Sequence, residues 1–403
     1  MRSLAVLSLH TSPLALPGRG DSGGMNVYVR ELAGSLAQAG VDTTVYVRRD
    51  RGGLPDVVEV EPGMRVVHVS AGPATLAKEE LPEIVDEYTA GVRDHIRAAG
   101  DVDAVHANYW LSGIAGHRLK HELALPLVTT FHTLARVKAE GGDAESDRRA
   151  EAEAEIIGCA DTILASCRTE AEQLVEHYGA RADRIEIVPP GVDHAFFSPG
   201  DRRGARAALG LSDHPVLLFV GRVQPLKGLT VAIEALGELG HPDAQLVVVG
   251  GASGADGPAE LARAHALVTS LGLHDRVRFV EPQPHHLLST YYRAADVCLV
   301  PSRSESFGLV ALEAAACGTP VVAAAVGGLT TLVDDGVTGF LIDGRQPGDY
   351  AAAVRKIVED PALATELGAR AATHARTYTW STAAARLRRI YADLTARTLV
   401  RCA

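Results

Sequence analysis

Two glutamates eight positions apart offer the clearest chemistry in this chain. Glu305 and Glu313 stand in Pro301-Ser-Arg-Ser-Glu305-Ser-Phe-Gly-Leu-Val-Ala-Leu-Glu313, which runs on through Ala-Ala-Ala-Cys-Gly-Thr319-Pro. The run reads as strand, loop, helix, turn and strand, with Glu305 in the loop and Glu313 two turns inside the helix on roughly the same face. Carboxylates so placed can each accept a pair of sugar hydroxyls, one from a hexose and one from a ribose. A diphosphate would lie between them at the helix start, around Phe307, Gly308 and Leu309, where backbone N–H groups favour negative charge. Such a group also needs cations. Gly221-Arg-Val-Gln-Pro-Leu-Lys-Gly228 supplies them on a turn, Arg222 through its planar fork and Lys227 as a mobile point charge.

A third loop, Gly18-Arg-Gly-Asp-Ser-Gly-Gly-Met-Asn26, lies between the first predicted strand and a helix. Its glycines let the backbone approach a ligand, and the N–H groups at the helix start favour anionic or hydroxyl-rich groups. The spacing is wrong for G-x-G-x-x-G, which disfavours a nicotinamide enzyme. No protein nucleophile stands near these motifs, and no Asp-x-Asp is placed to hold a metal-bound diphosphate.

These loops need a frame, and the sequence predicts two. Apolar strands at 4–9, 43–47, 66–69, 104–107, 127–131, 162–166 and 185–188 alternate with helices, the clearest near 26–39. A proline-rich stretch from Val188 to Gly200 breaks the pattern, which restarts with strands at 216–220, 245–249, 277–280, 297–300 and 321–325. The fold class expected is α/β, with two Rossmann-like, doubly wound parallel-sheet domains at 1–193 and 200–379. The amphipathic last helix, about 380–403, is left free to pack back on the first domain.

A chain of 403 residues, 47% hydrophobic and 22% charged, has room for two such cores. No apolar 20-mer reads as a membrane span, and the N-terminal run reads as a buried strand rather than a signal peptide, so a cytoplasmic protein is expected. The net charge of −11 disfavours a nucleic-acid partner. Cys159, Cys167, Cys298, Cys317 and Cys402 are odd in number and lack C-x-x-C spacing. That argues against a disulfide framework and against a zinc site, and all five are read as reduced thiols.

Glu305-x7-Glu313, the Gly-Thr-Pro turn and Gly327-Gly328-Leu resemble the nucleotide-sugar signature of the retaining family 4 glycosyltransferases, whose GT-B fold sets two domains across a cleft. His10-Thr-Ser-Pro-Leu, the Asp21 to Asn26 loop with the following Val-Tyr, and Asn108-Tyr-Trp-Leu-Ser-Gly113 are similar to the branch that begins mycothiol biosynthesis. That resemblance covers nearly the whole chain. It implies transfer of N-acetylglucosamine from UDP-GlcNAc to 1D-myo-inositol 3-phosphate, with the UDP-sugar as co-substrate and no cofactor required for catalysis.

By the same resemblance, the donor is bound by Gly24, Arg222, Lys227, Glu305, Phe307, Gly308, Leu309 and Glu313, with Gln283 at the uracil. The acceptor is contacted by His10, Asp21, Ser22, Gly23, Gly24, Met25, Asn26, Lys78, Tyr109, Thr133 and Arg149. Arg222, Lys227, Glu305 and His132 carry the catalytic roles, His132 through the sugar's hydroxymethyl group. A non-catalytic magnesium maps to Tyr292, Arg293, Ala295 and Thr319, and homodimerisation is left open.

Two departures bear on the acceptor. The family's His-Ser-His-Tyr is His106-Ala-Asn-Tyr109 here, and Thr130-Phe-His-Thr-Leu-Ala-Arg-Val-Lys138 is similar to the sucrose-phosphate synthase branch. The alternatives are a family 4 enzyme acting on a sugar phosphate or an aminocyclitol, and a non-catalytic sugar-nucleotide-binding protein.

Overall fold

The structure, a computed structural model, describes residues 2–18, 20–100, 102–142, 145–400 and 402. Arg19 of the glycine-rich loop and Met1 of the first predicted strand's approach lie outside the described residues. The chain divides into two compact units. Unit 1 is Met1–Ala15, Met25–Gly191 and Trp380–Ala403, and unit 2 is Leu16–Gly24 and Val192–Thr379.

Unit 1 is built on β1 (Ser3–Ser8), β2 (Asp42–Arg48), β3 (Val57–Glu61), β4 (Met64–Val69), β5 (Ala104–Asn108), β6 (Leu127–Thr130), β7 (Thr162–Ala165) and β8 (Ile185–Ile187). Their order is β3-β4-β2-β1-β5-β6-β7-β8. The pairs are parallel except β3 against β4. Central strands such as β1 and β5 are buried almost end to end because helices cover both faces. On one face Tyr28, Leu32 and Leu36 of the helix Gly24–Gln38 join Trp380, Leu387 and Tyr391 of the helix Trp380–Thr395 over Leu4, Val6 and Val45. On the other, Tyr88 and Val92 of Val85–Ala99 and Leu111, Ala115 and Leu119 of Tyr109–Leu123 lie over Ala5, Leu7 and Val105.

Unit 2 carries β9 (Val216–Val220), β10 (Gln245–Val249), β11 (Val277–Val280), β12 (Val297–Val300), β13 (Val321–Ala324) and β14 (Gly339–Ile342), ordered β11-β10-β9-β12-β13-β14 and parallel throughout. Helices Leu229–Glu238, Gly257–Ser270 and Pro347–Glu359 cover Leu217, Leu246, Val248 and Leu299. In each unit the strand order reverses once, between β1 and β5 and between β9 and β12. The loops leaving those strands diverge, which opens a crevice at the strands' carboxyl ends.

The sequence reading omits β3 and β14. β3, Val-Val-Glu-Val-Glu, is a half-exposed edge hairpin whose alternating glutamates dilute the apolar signal, and β14 has only four residues. The reading of all five cysteines as separate thiols also fails. Cys159, at the end of the helix Asp147–Cys159, and Cys402 meet sulfur to sulfur with Cα atoms 4.8 Å apart, across 243 residues of sequence. The folded path of the C-terminal segment brings them together, and no local spacing encodes it. Cys167, Cys298 and Cys317 are buried and take no part in that pair.

Candidate active site

In unit 1 the two loops at the strand-order reversal bring residues from distant parts of the chain onto one aromatic ring. Tyr109 follows β5 directly. Its ring stacks at 4.4 Å on His10, which follows β1. Lys78 Nζ lies 5.7 Å from the ring centre and the Arg149 guanidinium 5.0 Å from it. Arg149 Nη2 donates to the carbonyl and the hydroxyl of Thr133, at 2.9 and 3.0 Å. His10, Lys78, Tyr109, Thr133 and Arg149 therefore form one group.

Arg149 is 4% exposed, in contrast to the solvated helix start that its charged sequence context allows. Burial works to lower its pKa, but Tyr109, Glu153 and Glu145 outweigh burial and the net shift is upward. Nε donates to Glu153 at 2.8 Å and Nη1 to Glu145 at 2.9 Å. Glu153, fully buried, also accepts from the Ala135 N–H at 2.8 Å and from the Tyr178 hydroxyl. Arg149's donors are thus divided between its own helix and the approach to it, through Glu153 and Glu145, and the segment around Thr133. Glu145 and Glu153 are supports of Arg149 that sequence reasoning missed, because nothing local marks them as partners of a buried arginine.

Tyr109 and His132 have φ of +74° and +62°, and Ala124 is the other non-glycine residue with positive φ among the described residues. Such backbone costs about 1–3 kcal/mol per residue and persists where the surroundings enforce it, often at ligand sites. His132 hydrogen-bonds Asn108 Oδ1 at 2.9 Å and meets Tyr28 edge-on at 4.8 Å. Burial, with a smaller push from His106, takes its pKa down to about 3. It is a neutral imidazole at neutral pH, suited to a hydrogen bond rather than to proton donation. Asn26 Nδ2 donates to Thr11 Oγ1 and the Ser12 carbonyl, both at 2.6 Å, and so fixes the turn after β1. Met25 packs on the core beside it.

In unit 2 the loops after β9 and β12 meet. Lys227 Nζ donates to Glu305 at 2.6 Å, with both side chains mostly shielded, and Ser302 Oγ donates to the same oxygen at 3.3 Å. The Arg303 N–H donates to the Leu226 carbonyl at 2.8 Å, tying the two loops through backbone. The Glu305 loop rests on Gly327 and Gly328. The Gly328 N–H donates to the Glu305 carbonyl at 2.9 Å, and a Cβ on Gly328 would come within 2.4 Å of Phe307 Cα and of the Ser306 carbonyl. Phe307 is buried edge-on to Tyr378 at 5.8 Å, and Gly308 leads into the helix Leu309–Ala316 in the left-handed region. Within the same unit the Asp21, Ser22, Gly23 and Gly24 loop comes close to these elements. A Cβ on Gly23 would stand 2.9 Å from Arg222 Nε, and one on Gly24 would stand 3.6 Å from Leu309.

Glu313 has partners of its own. It is 5% exposed, and its two oxygens take His285 Nε2 at 2.7 Å and the Tyr292 hydroxyl at 2.8 Å. His285 carried no motif in the sequence. Gln283, half-buried beyond β11, turns its amide back to the Glu281 carbonyl at 2.9 Å. Of the residues assigned to magnesium, Thr319 Oγ donates to the Tyr292 carbonyl at 2.6 Å. Arg293 spends its guanidinium on the carbonyls of Ser198 and Phe196 at 2.7 and 2.5 Å, and Ala295 contributes backbone alone. The Thr319 hydroxyl keeps its lone pairs while it donates, and the set offers a magnesium ion neutral oxygens alone, without the one or two carboxylates that commonly bind it.

Residues 201–374 match the model for glycosyl transferases group 1, and residues 23–191 match the glycosyl transferase 4-like domain. A D-inositol 3-phosphate glycosyltransferase of Acidothermus cellulolyticus is 47% identical over 97% of this chain and 90% of its own length. One of Geodermatophilus obscurus is 48% identical over 94% of this chain and 86% of its own. The solved sucrose-phosphate synthase of Thermosynechococcus elongatus superimposes with a TM-score of 0.93 at 34% identity, covering 98% of this chain and all of that one. Two parallel-sheet units, each with its polar loops at the point of strand reversal, and relatives matched over nearly their whole length place the chain in the family of the group 1, family 4-like glycosyltransferases.

Proposed function

We propose that the enzyme transfers N-acetylglucosamine from UDP-GlcNAc, with retention, to 1D-myo-inositol 3-phosphate in the cytoplasm, the first step of mycothiol biosynthesis. The observation that carries the acceptor is the single group of His10, Lys78, Tyr109, Thr133 and Arg149: two cations, a hydroxyl and an imidazole around one ring. A cyclitol phosphate matches that chemistry, with Lys78 as the mobile charge for the phosphate and Arg149, largely committed, supplying field and shape.

On the donor side, Arg222, Lys227 and the start of the helix Leu309–Ala316 are the positive groups for the departing diphosphate. The bond from the sugar's anomeric carbon to the β-phosphate oxygen breaks, with its electron pair passing to UDP. The acceptor hydroxyl forms the new bond on the same face, and its proton goes to the departing phosphate. Glu305 accepts the sugar's hydroxyls, and Lys227, already bound to it, is held where charge develops. Glu313 orients the ribose with the lone pairs that His285 and Tyr292 leave. His132 donates or accepts at the sugar's hydroxymethyl group.

A mass-spectrometric screen tests this: UDP-GlcNAc and UDP-glucose against inositol 3-phosphate, inositol and fructose 6-phosphate. Product from UDP-GlcNAc and inositol 3-phosphate alone supports the reading. Turnover with fructose 6-phosphate instead moves the enzyme to the sucrose-phosphate synthase-like reading, which the 34% identity to that synthase keeps open. Absence of even slow UDP release from every donor would mark a binding protein.

A further inference from the structure

Away from the loops described above, on unit 1, the helix Tyr109–Leu123 presents His117 and His121 one turn apart, on the same face. Cys159 ends the neighbouring helix, and Cys402 lies beyond the last helix. The four ligand atoms all fall within 4.8 Å of one another. His121 Nε2 is 3.1 Å from Cys402 Sγ and 3.5 Å from Cys159 Sγ, and His117 Nε2 is 3.6 Å from Cys402 Sγ.

We propose that His117, His121, Cys159 and Cys402 form a tetrahedral zinc site that pins the chain's C-terminal segment to unit 1. Zinc–sulfur and zinc–nitrogen bonds of about 2.3 and 2.0 Å imply ligand-to-ligand edges of about 3.3–3.8 Å, and the three nitrogen–sulfur separations sit at or near that range. A bare cross-link between the cysteines would leave the convergence of two imidazole nitrogens on the same sulfurs without a purpose. A metal uses all four groups and takes the place of the direct sulfur contact. Two thiolates and two neutral imidazoles form a soft, net-neutral set with Zn(II), and binding sends two thiol protons to solvent.

The surroundings match a metal centre. Glu155 lies 3.3 Å from His117 Nδ1, the nitrogen facing away from the sulfurs. A carboxylate there fixes the tautomer that leaves Nε2 free to ligate. Lys120, buried between the two helices, donates to the Cys159 carbonyl at 2.7 Å and pairs with Asp161 at 2.9 Å. Asp161 in turn accepts the Val400 N–H at 2.7 Å. The tail is therefore docked by groups outside the proposed ligand set, so ligand variants should keep the fold. The cysteine count and the lack of C-x-x-C argued against zinc in the sequence. That spacing rule presumes ligands close in the chain, and here they come from three separate segments.

The test uses the full chain purified under reductant without chelators. Elemental analysis should find one zinc per chain, and His121→Ala and Cys402→Ser should each reduce it to background while transferase activity stays unchanged. Cobalt substituted for zinc should show thiolate-to-cobalt charge transfer and the visible bands of a tetrahedral ion, both absent from the two variants. Glu155→Ala should weaken zinc affinity about 10- to 100-fold. The proposal is overturned if the reduced chain neither carries zinc nor takes up cobalt, or if intact-mass and peptide mapping find Cys159 and Cys402 joined as a disulfide that persists under those conditions. Zinc retained in full by Cys402→Ser would overturn it equally.

Discussion

Arg149 donates four hydrogen bonds beneath the Tyr109 ring, so replacing it with alanine strands the buried Glu153 and leaves Glu145 to Lys138 alone. Breaking a buried pair from one side costs about 3–5 kcal/mol, and Arg149→Ala should lower the unfolding free energy from urea melts by an amount of that order. A fall in its activity would then report lost structure as well as lost binding. Lys78 is half-buried on a short helix and makes none of those four bonds, which makes it the cleaner probe of the phosphate. Lys78→Ala should lower kcat/KM for inositol 3-phosphate by about 10- to 150-fold, the loss of about 1.5–3 kcal/mol, and leave unphosphorylated inositol and the donor KM nearly unchanged. Equal losses for both acceptors would remove Lys78 from the phosphate. On the donor side, Glu305→Gln and Lys227→Ala should each cost about 2–4 kcal/mol in turnover. The double variant should fall short of the sum, because each single change already breaks the 2.6 Å pair. Additive losses would mean that the two residues act independently. The placing of Lys227, Glu305 and the glycines under their loop was legible because each belongs to a local pattern, a turn, a helix start or a glycine pair. The burial of Arg149 and the His285 contact to Glu313 were not, since partners 4–28 residues apart are set by packing.

Between elements, His106 joins three that the chain separates widely. Its Nε2 meets Thr130 at the end of β6 at 2.8 Å, its Nδ1 meets the Tyr391 hydroxyl of the last helix at 2.8 Å, and it stands in β5 itself. Burial takes its pKa down to about 3, as it does for His132. In the unfolded chain both return to about 6.5. Between those values the unfolded state binds protons that the folded state refuses. Stability is therefore fullest above about pH 6.5 and falls as pH drops towards 3, by about 1.4 kcal/mol per pH unit for each histidine. Urea unfolding at several pH values should show that slope, and His106→Gln should flatten it. An unchanged slope in the variant would mean that other groups set the acid limit. Tyr391→Phe leaves one imidazole nitrogen unpaired and should cost about 1–3 kcal/mol. The strands were readable from sequence because burial on both faces makes them continuously apolar. The attachment of the last helix was not, since an amphipathic pattern shows that a face is buried but not what it is buried against.

At the scale of the molecule, unit 1 is assembled from both ends of the chain, with unit 2 inserted between. Trp380, Leu387, Tyr391 and Leu394 belong to the same core as Leu4, Val6, Val128 and Leu164. Ending the chain at residue 379 should therefore unfold unit 1, while a peptide of residues 380–403 supplied in trans should restore part of its helical signal by circular dichroism. A truncated chain with a native-like melt would show that the last helix is an accessory. This interleaving also fixes an order of events during synthesis. The first unit to leave the ribosome is the last that can be finished: at about 5–20 residues per second, roughly 10–40 s separate the emergence of Val188 from that of Leu394. Through that interval the groove meant for the last helix stands open, an apolar strip that a nascent-chain chaperone would find, and the second unit can complete its fold while the first still waits for its closing piece.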